Sequence, residues 1–140
     1  MKGYGILASI QETCDKCNSE VKFYFTQRID SYNGLSWSGS FKCAKCNNSI
    51  EVDGIGELDD FLRDSIIEQE GLWGLQFGIV LDKVNAVRII RKALNLTIEE
   101  VKKIKNRIPG IAIKGTNVEM QRLQLLLRIE GIISEVVRIN

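Results

Sequence analysis

The 140-residue sequence contains no histidine, one proline and no long apolar run. Without histidine there is no imidazole general base, no Ser-His or Cys-His nucleophile pair and no His-containing metal set. Pro109 alone cannot make a proline-rich linker or docking segment. No stretch approaches the roughly 18 to 20 apolar residues that span a bilayer. The start, MKGYGILASIQETCDKC, has neither a proper apolar h-region nor a small-residue cleavage site. A cytoplasmic location is therefore expected. Neither a GxxxxGK[ST] phosphate loop nor a GxGxxG turn is present. These absences disfavour an enzyme, and no catalytic residue is expected.

What is present fits a folded chain. Hydrophobic residues make up 44% and charged residues 26%, which is the composition of a globular protein. The length allows one ordinary domain or two small ones, each under about 80 residues. The net charge of +1 hides a polarity. Residues 1–78 carry 7 Lys and Arg against 12 Asp and Glu, a balance of −5, and residues 79–140 carry 12 against 6, a balance of +6. That sign change predicts two units with different surfaces.

All four cysteines fall in two pairs, Cys14-Asp15-Lys16-Cys17 and Cys43-Ala44-Lys45-Cys46. Two intervening residues let both sulfurs of a pair turn toward one point about 2.3 Å from a tetrahedral Zn²⁺. The same spacing strains a disulfide within a pair. Each pair is followed by an asparagine, Asn18 or Asn47, which tolerates the left-handed backbone such turns require. One structural zinc held by Cys14, Cys17, Cys43 and Cys46 is the expectation, with a two-disulfide framework or a redox dithiol as alternatives. Four thiolates would leave no coordination position open, so the metal would hold the fold and activate no water.

Val21–Thr26 reads as an aromatic-rich strand, Ser31–Gly34 as a turn, and Leu35–Cys43 and Ile50–Val52 as further strands. Strands leading into and out of two cysteine knuckles resemble a zinc ribbon, over about residues 8–53, within a first domain at 1–56. Glu57–Gln69 reads as a helix with acid in its first turns and an apolar face of Leu58, Phe61, Leu62, Ser65 and Ile66, closed by Gly71. It is expected to connect the domains over residues 57–74, with Trp73 packing between the halves.

In the third segment, 75–140, Leu75–Leu81 reads as a strand. Asp82 can cap a helix carrying Val84, Val87, Ile90 and Leu94, and Thr97-Ile98-Glu99-Glu100 is a capping box opening a second. Pro109-Gly110 stops that helix. Thr116-Asn117-Val118-Glu119 opens a third, ended by Gly131, and Ile132–Ile139 is β-branched enough for a last strand. The order predicts an α+β protein, with a zinc-ribbon β unit followed by three helices on a three-stranded antiparallel sheet.

Residues 79–139 resemble the C-terminal domain of the bacterial ribosomal stalk protein. The likeness rests on Lys83, Val84, Val87, Arg88 and Arg91, on the turn Leu96-Thr97-Ile98-Glu99-Glu100-Val101-Lys102, and on Pro109, Ile111–Lys114 and Gly115. The chain departs from that family at Asn95 and Thr97, where the family has glycines, and in having one residue fewer before Gly131. A ribbon stands where the family has a dimerisation segment and hinge. In that family the first two helices present a basic surface with an apolar centre, on which translational GTPases dock. The resemblance implies a partner surface here at Lys83, Val84, Val87, Arg88, Arg91 and Lys102.

The expected function is that of a non-enzymatic binding protein, docking an acidic protein partner such as a translation factor or a toxin that it neutralises. No small-molecule substrate and no membrane are expected. The alternative is a nucleic-acid-binding module that uses Tyr24, Arg28, Tyr32, Trp37, Phe41 and Lys42 of the ribbon. The acidic front half disfavours it, because a polyanion calls for an unbroken basic stripe.

Overall fold

The computed structural model describes residues 3–140, and the chain divides into two compact units, Met1–Glu70 and Gly71–Asn140. Residues 71–78 carry no charge, so the boundary divides the charge as the sequence halves do, −5 and +6. The protein is α+β, with four helices and two antiparallel sheets among the described residues.

The first unit is a four-stranded meander of β1 (Ala8–Thr13), β2 (Glu20–Ile29), β3 (Leu35–Lys42) and β4 (Ser49–Ile55), in the spatial order β1-β2-β3-β4. The period-2 alternation of β2 places Val21, Phe25 and Gln27 inside and Glu20, Lys22 and Tyr24 outside. Two large rings on the inner face require glycine beneath them. A Cβ on Gly39 would lie 2.2 Å from the Phe23 ring, and one on Gly54 would lie 2.5 Å from the Trp37 indole. At the β2–β3 turn the Asp30 carboxylate accepts from the Tyr32 and Gly34 backbone N–H groups at 2.8 and 2.9 Å. Asn33 there takes φ 63°, the left-handed region asparagine tolerates.

α1 (Asp60–Glu70) packs on this sheet and so belongs to the first unit, where the sequence suggests a connector. Leu62, Ile66 and Gln69 stand at i, i+4 and i+7, one stripe of the helix. Ile66 is buried beside Ala8, Phe25 and Leu58, and Leu62 packs against that cluster. Gln69 continues the stripe as a polar clamp. Its amide donates to the Ser9 carbonyl at 2.9 Å and accepts from the Ser9 N–H at 3.2 Å, covering the outer edge of β1. Phe61, expected on the buried face, lies outside the stripe and is 66% exposed.

The second unit runs β5 (Trp73–Phe77), α2 (Lys83–Leu94), α3 (Ile98–Asn106), β6 (Gly110–Gly115), α4 (Asn117–Ile129) and β7 (Glu135–Arg138), with sheet order β6-β5-β7. Its core brings Leu75 and Phe77 of β5 against Val87 and Ile90 of α2, Ile104 of α3 and Leu123 and Leu127 of α4. Trp73 packs on that core. β5 stops at Phe77, short of the expected Leu81: Gly78 interrupts the pattern, and Ile79 and Leu81 are exposed beyond the last ladder pair at Phe77 and Gly110. β7 likewise begins at Glu135, because Ile132 turns into the core instead of pairing.

The helix starts follow the sequence signals. Asp82 accepts from Asn85 N–H, and both capping boxes close: Thr97 with Glu100, and Thr116 with Glu119. Glu100 is held below the usual carboxylate range by the Thr97 backbone N–H and hydroxyl, and then by Lys103. The two boxes differ in burial, since Thr116 is fully buried and Thr97 exposed. We expect Thr97→Ala to cost about 1 kcal/mol and Thr116→Ala to reach the upper end of the capping range, about 2 kcal/mol. Chemical denaturation of the second unit, followed by far-ultraviolet circular dichroism, measures both.

Candidate metal centre

The β1–β2 and β3–β4 connections lie at the same end of the meander, and each is a six-residue turn built alike. In the first, Cys14 N–H donates to Ser19 O at 2.8 Å and Asn18 N–H to Cys14 O at 2.9 Å; in the second, Cys43 N–H donates to Asn48 O at 2.8 Å and Asn47 N–H to Cys43 O at 2.8 Å. Asn18 and Asn47 take φ 61° and 63°. The left-handed residue turns each chain back sharply enough to aim both of its sulfurs at the other turn.

The four Sγ atoms lie within 4.8 Å of one another. Cys14 and Cys46 sulfurs are 3.7 Å apart, and Cys17 and Cys43 sulfurs 3.6 Å. Around a tetrahedral ion with bonds of about 2.3 Å, ligand sulfurs lie about 3.8 Å from each other. These are ligand spacings, far beyond the S–S bond of about 2.05 Å, and all four cysteines are free. The cluster could hold one metal ion.

The surroundings favour thiolates unequally. Cys14 is lowered by the backbone N–H groups of Cys17 and Lys16, with a further contribution from the Asn48 amide, which lies 3.7 Å from its sulfur. Cys17 is lowered to about 6, first by the Ser19 hydroxyl at 2.8 Å and then by the Ser19 backbone N–H. Cys46 accepts from the Asn48 backbone N–H, yet desolvation and the sulfurs of Cys17, Cys14 and Cys43 push it up to about 12. A cation bound among the four sulfurs would offset the repulsion that raises Cys46. Four donors complete a tetrahedron, which leaves no position for a reacting water. Such a site constrains structure.

Ser19 and Asn48 are contacts that cysteine spacing alone does not reveal. Their signal is a longer repeat, Cys-x-Lys-Cys-Asn followed by Ser or Asn, present at 14–19 and 43–48. The turn lysines, Lys16 and Lys45, are exposed.

Of the residues implied as a partner surface, Arg88, Arg91, Lys102 and Val84 are exposed, Val84 at 67%, and Lys83 is half-buried. Val87 is 4% exposed and belongs to the core. It lies beside Ala86 and Ile90 on the inward stripe, so it cannot form the apolar centre of a docking face. Exposed aliphatic area there comes instead from Val84 on α2 and Ile98 on α3. In the first unit, Trp37 and Phe41 pack against core clusters, while Tyr24 and Tyr32 are exposed. No helix is long and apolar enough to cross a membrane among the described residues.

Comparisons with protein-family models, curated proteins and solved structures find no match to this chain.

Metal removal gives a direct test of the centre. Among the described residues, the two buried clusters of the first unit contain four and three residues, against twelve in the second unit, so the first unit depends more on an added constraint. We expect a chelator to abolish amide-exchange protection in the strands of residues 8–55 while α2, α3 and α4 stay protected. Cys43→Ala should lower bound metal from one equivalent to near zero, read by elemental mass spectrometry.

Proposed function

We propose that this protein is a zinc-stabilised, non-enzymatic binding protein that docks an acidic surface of a partner protein through the α2–α3 side of its second unit. The observation that carries the reading is the charge of α2. It bears Lys83, Arg88, Arg91 and Lys92 and no acidic residue. Arg91, Lys92 and Lys102 are exposed. Cations left to solvent beside Val84 and Ile98 combine steering charge with apolar area to desolvate.

In this reading the first unit is a zinc ribbon. The antiparallel hairpins and their paired turns support it, and four thiolates suit Zn²⁺ among the tetrahedral ions. The order β-α-α-β-α-β supports the resemblance of the second unit to the ribosomal stalk C-terminal domain. So does Asn95, which stands where the family has a glycine and ends α2 at φ 53°, in the left-handed region that glycine favours. A stalk-like surface on a different first domain suits an adaptor to the translation machinery or an immunity protein that caps a toxin. Both partners share the required chemistry, an acidic face.

Arg88→Glu combined with Arg91→Glu should abolish binding to the partner recovered from the source cell and leave thermal stability unchanged. Isothermal titration with the purified partner reads the affinity. A steep fall of affinity with salt and competition by bulk RNA or DNA would instead identify nucleic acid as the ligand. Unchanged affinity in the double variant would remove the α2 face from the interface.

A further inference from the structure

The inner face of the first unit's sheet extends beyond the helix that covers it. α1 packs over Ala8 and Phe25. Toward the cysteine turns the same face continues through Phe23, Phe41 and Ile50, all half-exposed. Between this uncovered stretch and the start of α1 runs a groove of about 380 Å³ that Phe61 also lines. A phenylalanine 66% exposed on the wall of an apolar groove is area left for a ligand to cover.

The charged groups lining the groove are all of one sign. Glu12 of β1, Asp15 of the first cysteine turn and Asp59 ahead of α1 line it, with no lysine or arginine. Two of these are fixed in place: Asp59 accepts from the Leu62 N–H at 2.9 Å, and Asp15 from the Asn48 amide at 2.8 Å. The unit around them carries −5, so the field at the groove attracts cations.

We propose that this groove is a docking site for a basic, amphipathic peptide segment of a partner protein. A large apolar side chain of that segment covers Phe23, Phe41 and Phe61, and flanking Lys or Arg groups meet Glu12, Asp15 and Asp59. The partner chemistry is the opposite of that fitted by α2, so the site is independent of the function proposed above. A chain with both surfaces can bring an acidic and a basic protein together.

The test uses the full metal-loaded chain and a short fluorescent peptide of alternating leucine and lysine, with its leucine–glutamate counterpart as the control, followed by fluorescence polarisation. The lysine peptide should bind and the glutamate peptide should not. Phe61→Ser should weaken binding about tenfold, as expected for loss of one apolar anchor. Glu12→Gln with Asp59→Asn, which keeps an oxygen to cap Leu62, should weaken it similarly and flatten its salt dependence. Asp64→Asn with Glu68→Gln, on α1 outside the groove, should change nothing. Equal loss in that control pair, or unchanged affinity in the Glu12 and Asp59 variant, would mean diffuse charge attraction and overturn the proposal. A concentration-dependent dimer of the chain that Phe61→Ser abolishes would make a second copy the occupant and overturn it as well.

Discussion

Four sulfurs must share one small volume at the end of the first unit's sheet. Brought together, they burden one another: desolvation and the sulfurs of Cys17, Cys14 and Cys43 push Cys46 up to about 12. Their convergence requires both hairpins to turn back at the same height. That requirement sets the lengths of β1 and β3 and puts asparagine at φ 61° and 63° in each turn. Backbone N–H groups and the Ser19 hydroxyl bias Cys14 and Cys17 toward thiolates. The sheet holds the site, and the filled site would hold the sheet, because binding free energy at a structural metal centre is also folding free energy.

The second unit is stabilised differently. A continuous core joins β5 to three helices, and each helix start is closed by a side chain acting on backbone N–H groups. Capping residues work locally and need no distant partner. They leave the outer faces of α2 and α3 without structural duty, which is why those faces can carry so many cations.

The division of charge gives the two units surfaces of opposite sign. Carboxylates in the first unit surround an apolar groove, and cations in the second stand beside exposed Val84 and Ile98. Charge of one sign next to uncovered apolar area steers a partner and then provides contact once water leaves. A uniformly mixed surface would do neither.

The residues alone determined whatever depends on short-range geometry. The Cys-x-x-Cys spacing, the asparagine after each pair and both capping boxes are legible because the groups involved lie within about six residues of each other. Tertiary structure decided the rest. Ala8–Thr13 has a weak strand pattern and becomes β1 because β2 offers it a ladder and Gln69 closes its edge. Helical periodicity marks Val87 as apolar but not which way it faces. Only packing against Phe77 and Leu123 puts it inside while Val84, three residues earlier, stays in solvent. Phe61 carries the same apolar signal as Ile66, and its exposure follows from where α1 meets the sheet. An apolar residue announces that it favours burial, but the partner that buries it, or its absence, is a property of the assembled chain.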